Sequence, residues 1–295
     1  IFVDLIKSGK NELWTKIKMD HQAQYELMRG RLNGIENDRD KRLLMGDDLK
    51  KATDRFYGNS TLQIDGFEHG TFVAGIIAGQ GIIDKSIIGI CPQSKLMIIR
   101  AVPDGDEYDK DIASAIRYAV DNGAKVINMS LGKYTSPDAE MVNEAIAYAA
   151  KKDVLIIQAA GNNNRDIDAV SYFPSAKDKE GNLFDNYLRV GASDKSGRKC
   201  SFSNHGKLEV AVFAPGEEIT SVAPENKYSN AQGTSVAAPI VSGLAALIRT
   251  YFPKLKAAQV KEILIESARP MYEQGLCVSN GIVDAYQAVQ LAAKY

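Results

Sequence analysis

Residues 126–157 read VINMSLGKYTSPDAEMVNEAIAYAAKKDVLII: a short apolar run, a loop, a helical stretch over 139–151 and a second short apolar run. Four-residue apolar runs such as Val126-Ile127-Asn128-Met129 and Val154-Leu155-Ile156-Ile157 suit strands buried on both faces. Working outward, Leu96-Met97-Ile98-Ile99 and Val210-Ala211-Val212-Phe213 are runs of the same kind, and 112–122 is a second helical stretch. Three of the four runs are bounded by Lys, Gly or Pro, as strands are. Alternation of buried strands with helices predicts an α/β fold, with a mostly parallel central β-sheet and helices on both faces. No repeat of 20–50 residues and no low-complexity tract interrupts it.

Composition narrows the class. The 295 residues carry 36 Lys+Arg against 37 Asp+Glu, a net charge of −1, which leaves no electrostatic footprint for nucleic acid or an anionic membrane. No apolar run approaches the roughly 20 residues that span a bilayer. Cys91, Cys200 and Cys277 are too few and too scattered for a disulfide framework or a zinc site. The first residue is Ile1, and no basic stretch with an apolar run opens the chain. The expectation is a soluble chain that begins inside a longer precursor.

Charge is uneven. Residues 1–60 hold 22 of the 73 charged residues, so they read as a charged, partly helical N-terminal segment or insertion, with the main domain over 61–295. Tyr25, Met28, Leu32 and Ile35 recur at helical spacing and give that segment one narrow apolar face.

Three blocks place polar side chains at the ends of apolar elements. His69 precedes the small-residue helix that runs through Gly75, and Gly233-Thr234-Ser235 opens a long apolar helix. Asn162 follows Ala159-Ala160-Gly161, past the end of the 154–157 strand. Alone, Ser235 is a plain N-cap and His69 a structural histidine. Together, a hydroxyl, an imidazole and an amide donor at strand and helix ends are the parts of an acyl-transfer site.

The blocks His69-Gly70-Thr71 through Gly75, Ala159-Ala160-Gly161-Asn162, Gly233-Thr234-Ser235 through Pro239, and Ile127-Asn128-Met129-Ser130-Leu131-Gly132 resemble, in order and content, those of the subtilisin-like serine proteases. The resemblance is to subtilases of peptidase family S8, in a variant with a helical insertion before the His motif. It implies a three-layer sandwich and an endopeptidase acting on protein or peptide substrates. Ser235 would be the nucleophile, His69 the general base and Asn162 the oxyanion donor. Ser130, Leu131 and Gly132 would form an edge that pairs with substrate backbone, opposed by residues 104–108 with Tyr108 near the pocket for an upstream residue. Gly132 and the stretch through Gly161 would bound the primary specificity pocket. The family also implies export to the cell envelope, periplasm or medium, a propeptide in a longer precursor, and no required cofactor. Calcium is left open as a structural ion, with Asp104, Asp106, Asp109 and Asp111 as oxygen donors.

Some residues depart from the family pattern. Phe72 stands where a second His is common and reads as packing; Cys91 and Cys200 read as structural thiols, and His21 and His205 as surface or packing residues. Residues 253–268 read as the closing helix, with Pro253 just before its start. No Asp followed by Ser-Gly or Thr-Gly precedes His69. Asp4 follows an apolar triplet, but Leu5-Ile6 replaces the small pair a tight turn needs, so the triad acid is expected upstream of Ile1 or in a segment missing from this chain, with Asp4 as the alternative. The competing reading is a catalytically weak or inactive peptide-binding protein that lacks that Asp. A nucleotide-binding fold is disfavoured, because no phosphate-loop signature is present.

Overall fold

The structure is a computed structural model; it describes residues 42, 47–55, 57–62, 68–81, 87–102 and 107–295. Asp4, His21, the 25–35 helical pattern, Asp104 and Asp106 lie outside the described residues.

Helix α1 (Glu68–Ala78) is followed by α2 (Asp109–Asp121), strand β1 (Val126–Met129), α3 (Ala139–Lys151), β2 (Leu155–Ala159) and β3 (Tyr187–Ser193). Then come β4 (Val212–Pro215), the hairpin β5 (Ile219–Ala223) and β6 (Lys227–Ala231), and α4 (Thr234–Tyr251). Helix α5 (Ala257–Glu266), β7 (Arg269–Pro270), β8 (Gly281–Ile282) and α6 (Ala285–Ala292) complete the order. The main sheet runs β1-β2-β3-β4-β8-β7, parallel except for the antiparallel β7–β8 pair. The chain is α/β, with a mostly parallel sheet and helices on both faces.

The period of two along the strands sorts side chains into two layers. Leu155, Ile157 and Ala159 of β2 and Leu188, Val190 and Ala192 of β3 share a core with Ala237, Val241, Leu244 and Ile248 of α4. Ile156 and Tyr187, one residue out of phase, join Ile116 of α2 with Val142, Ile146 and Ala149 of α3 on the other face. Every residue of β2 and β3 is therefore buried, which is why these strands are apolar without alternation.

Helix α3 covers the predicted 139–151, and α2 begins three residues before the predicted 112. Two expectations shift. The last apolar run forms strand only from Val212, two residues after its start, and α5 begins at Ala257, four residues past Pro253. One expectation fails: residues 96–99 form no strand, and Leu96, Met97 and Ile98 are 42%, 40% and 52% exposed. β1 is the last strand on its side of the sheet, so the 96–99 run has no strand partner among the described residues.

Helix α1 lies close against the hairpin. Phe72 and Ile76 pack on Val236 of α4, and the Ser221 hydroxyl donates to the Phe72 carbonyl at 2.8 Å. A Cβ on Gly75 would stand 2.5 Å from Val222 Cγ2 and overlap the Ser221 hydroxyl. Gly75→Ala is therefore expected to push α1 off β5 and cost about 1–3 kcal/mol, read as a lower urea midpoint with an unchanged denaturant slope.

Candidate active site

Parallel pairing of β1 with β2 brings Ser130 and Asn162, which follow them, to the same sheet edge. There they meet the first turn of α4. The Asn162 side chain is fixed by its oxygen: Oδ1 accepts from the Thr234 backbone N–H at 2.8 Å and from Thr234 Oγ1 at 2.9 Å. Thr234 Oγ1 in turn accepts the Gly161 N–H at 3.0 Å. With the oxygen so occupied, Nδ2 is the face of the amide left to point outward. A Cβ built on Gly233 would stand 3.2 Å from Ser235 Oγ and 3.3 Å from Asn162 Nδ2. Ser235 Oγ and Asn162 Nδ2 therefore lie close together on the same side of Gly233. A side chain at Gly233 would crowd both groups, and the φ of +144° is one that L side chains rarely adopt.

The backbone of Ser235 is tied down as well. Ser242 Oγ donates to Asn128 Oδ1 at 2.9 Å, Asn128 Nδ2 to Ser130 Oγ at 3.0 Å, and Ser130 Oγ to the Ser235 carbonyl at 2.7 Å. Ser130, predicted as an edge residue, thus holds Ser235 through its side chain, while its neighbours Leu131 and Gly132 are half-buried beside it. The loop after β2 has its own anchor in Asn204. Asn204 Nδ2 donates to the Ala160 carbonyl at 2.8 Å, and its Oδ1 accepts from Asn163 and Arg165 N–H groups at 3.1 and 2.9 Å.

His69 lies inside the first turn of α1 rather than before it. The ring keeps a face open to solvent, yet the protein around it desolvates it and holds its pKa below the ordinary imidazole value. Among the described residues no carboxylate offsets that shift, and no hydrogen bond joins His69 to Ser235. Such bonds commonly form only when substrate arrives. Helices α1 and α4 pack side by side through Phe72, Ile76 and Val236, so the two residues open neighbouring helices.

Tyr108 caps α2, and the Arg42 guanidinium stacks on its ring, 4.4 Å from the centroid. Arg42 also pairs with Asp47 at 2.6 Å and with Asp111. Lys133 ties the segment after β1 to the start of α2: its ammonium lies 3.0 Å from Asp109 and donates to the Glu107 carbonyl. Cys91, Cys200 and Cys277 are all buried and free. Burial pushes the Cys200 thiol up to about 11, away from the thiolate that would react. Phe72 is packed in the core. His205 is half-buried with Nδ1 unpartnered.

Thr234, Asn128, Ser242 and Asn204 were not singled out from sequence. Thr234 and Asn128 lie inside quoted blocks, so their signal was there; Ser242 and Asn204 carry none.

The chain matches the model of the subtilase family, Peptidase S8, over residues 32–287. It is 34% identical over 235 residues to a thermophilic serine proteinase of Bacillus sp. strain AK1, covering 79% of this chain and 55% of that protein. It is 32% identical over 238 residues to subtilisin DY of Bacillus licheniformis, covering 80% and 82%. The solved prenylagaramide maturation protease PagA superposes with a TM-score of 0.66 at 32% identity, covering 76% of this chain and 82% of that one. The chain belongs to the subtilase family, and this membership makes it a subtilisin-like serine protease. Relatives differ in location: Bacillus subtilis contributes both a cell wall-associated protease, 36% identical, and a major intracellular serine protease, 33% identical. No helix among the described residues is long and apolar enough to cross a membrane.

Thr234→Val keeps the backbone donor to Asn162 but removes the hydroxyl that Gly161 N–H donates to. The expected result is a loss of about 1–3 kcal/mol in stability from the unpaired N–H. Ser235 labelling by an acylating probe should also slow by about 10-fold as the amide loosens; an unchanged labelling rate would show that the clamp is dispensable.

Proposed function

We propose that this chain is an endopeptidase that cleaves peptide bonds through an acyl-enzyme on Ser235. In this reading Ser235 Oγ attacks the substrate carbonyl carbon while His69 takes the hydroxyl proton. The carbonyl oxygen becomes an oxyanion held by Asn162 Nδ2. His69 then gives its proton to the leaving amine, and water repeats the sequence to free the acyl product. The observation that carries the reading is the clamped Asn162 amide, whose Nδ2 lies beside Ser235 Oγ next to Gly233. A nucleophile and an oxyanion donor held close together are what an acyl-transfer site requires. The depressed pKa of His69 supports its role, because the base must be neutral to act.

Substrate backbone would lie between the edge at Ser130, Leu131 and Gly132 and the edge at Tyr108. Residues 1–60 are read as an insertion beside this cleft, and the Arg42 ring contact with Tyr108 supports that placement. Calcium has no part in the proposal, since Asp109 and Asp111 already hold Lys133 and Arg42. Protein or peptide is the partner in this reading and nucleic acid is not; a propeptide in a longer precursor and an exported site of action belong to it as well, the latter in line with the cell wall-associated relative and not with the intracellular one. A second reading, a peptide-binding protein of weak or no activity, rests on the absence of a carboxylate acting on His69 among the described residues.

A fluorophosphonate probe with intact-mass readout separates the two. One adduct that disappears in Ser235→Ala supports the endopeptidase; no adduct on folded protein favours the binding protein. Asn162→Ala should lower turnover by about 10²–10³-fold, a magnitude established on subtilisin itself. The labelling rate should rise with pH to a plateau as His69 loses its proton. Its midpoint should fall below the ordinary imidazole value of about 6.5; a midpoint above that value would contradict the desolvated ring.

A further inference from the structure

Gly132 and Gly161 follow β1 and β2 and flank the Ser235–Asn162 site on one side. Without side chains, two facing glycines leave a recess, yet here it is occupied from within the chain. A Cβ on Gly132 would overlap the ring and hydroxyl of Tyr172, and a Cβ on Gly161 would stand 2.9 Å from the same hydroxyl. The end of the Tyr172 side chain is therefore wedged between the two backbones. Lys133 and Phe173 exchange backbone hydrogen bonds at 3.0 and 2.8 Å, which seats Tyr172 directly beside Gly132.

The plug is held firmly. Tyr172 is 6% exposed and packs with Ala160, Ile167, Val210 and Phe213; its ring meets Tyr134 edge-on, with centroids 5.2 Å apart. Behind it, buried Arg189 donates to the Tyr172 carbonyl at 2.7 Å and the Pro174 carbonyl at 2.6 Å. Arg189 is itself fixed by Gln158 at 2.7 Å and by an ion pair with Glu209. For the ring to leave, an aromatic side chain would have to come out of the core and part from Tyr134.

The recess adjoins Ser130 and Asn162, and on the reading above its walls, Gly132 and the stretch through Gly161, bound the pocket for the side chain on the acyl side of the cleaved bond. We infer that Tyr172 is the specificity-determining residue of the site: it fills the recess, so that glycine, alanine or serine is accepted before the cleaved bond and aromatic or long aliphatic side chains are refused. This rests on the reading of Ser235 and Asn162 given above.

The test is kcat/KM for a series of tetrapeptide anilides that differ only in the last residue, Ala, Ser, Leu or Phe. The wild-type chain should favour Ala over Phe by about 10²-fold, the range expected when a pocket lacks room for a few carbons. In Tyr172→Ala the Phe-to-Ala ratio should rise at least about 10-fold. Equal cleavage after Phe and Ala by the wild type, or an unchanged ratio in folded Tyr172→Ala, overturns the inference. Binding to Ser235→Ala, measured by calorimetry with acetylated tetrapeptides ending in Ala or Phe, tests the recess without any chemistry and without altering Tyr172. At least about 10-fold tighter binding of the Ala-ended peptide supports the plug; no discrimination, or no binding of either, overturns it. Absence of both hydrolysis and probe labelling, with that binding preference intact, would sink the Ser235 reading and leave the size limit standing.

Discussion

Burial of helix α4 is the constraint on which the rest of the molecule depends. From Val236 to Ile248 the helix has little polar surface, and Val236, Ala237, Ala238, Val241, Leu244, Ala245 and Ile248 are each at most 1% exposed. A helix so apolar must be covered on several sides, and the sheet and α1 supply that cover. At about 25 cal/mol per Å² of apolar area removed from water, such a helix has one low-energy seat. Its first turn is thereby delivered to the sheet edge where β1 and β2 end, and Thr234 arrives within hydrogen-bond reach of Asn162. The chemistry of the site is local, but its position follows from packing.

Once the helix is seated, the remaining freedom belongs to side chains, and short hydrogen bonds remove it. Thr234 serves as both acceptor and donor, satisfying Gly161 N–H and orienting Asn162 through one hydroxyl. Asn128 and Ser242 do the same for Ser130 and, through it, for the carbonyl of Ser235. A donor aimed before substrate arrives needs no reorganisation during reaction. Both chains of bonds use only small neutral side chains, so the arrangement does not depend on salt or on pH near neutrality.

Much of this was legible in the sequence, and the gaps have physical causes. The 126–157 stretch foretold β1, α3 and β2 because apolar runs buried on both faces and a helical segment leave unmistakable marks. The 96–99 run has the same composition and yet forms no strand: composition reports that a segment prefers burial, and strand pairing needs a neighbour that composition does not supply. The blocks around His69, Asn162 and Ser235 were recognisable because each sets its polar residue in a short contiguous run of glycine and small residues, although the three lie far apart along the chain. Tyr172 and Asn204 were not, since each sits in an irregular segment and acts on residues far away along the chain. Arg42 was equally silent; nothing in a charged stretch shows which cation will stack on Tyr108.

The two edges that bracket a peptide in the proposed cleft are not independent loops. Lys133 next to Gly132 pairs with Asp109 next to Tyr108, and Asp109 also accepts from Ser136 Oγ at 2.6 Å and Asp138 N–H at 2.9 Å. Asp109 and Lys133 are nearly excluded from water. Separating them would leave two buried charges without partners, a cost far above that of parting an exposed pair. In the proposed cleft the width would therefore be set by a buried ion pair, and the depth on the acyl side by the ring of Tyr172. With width and depth both held by groups that cannot move cheaply, a substrate in the proposed cleft would have to fit the site as it stands, and the size selection proposed above is the consequence of that rigidity.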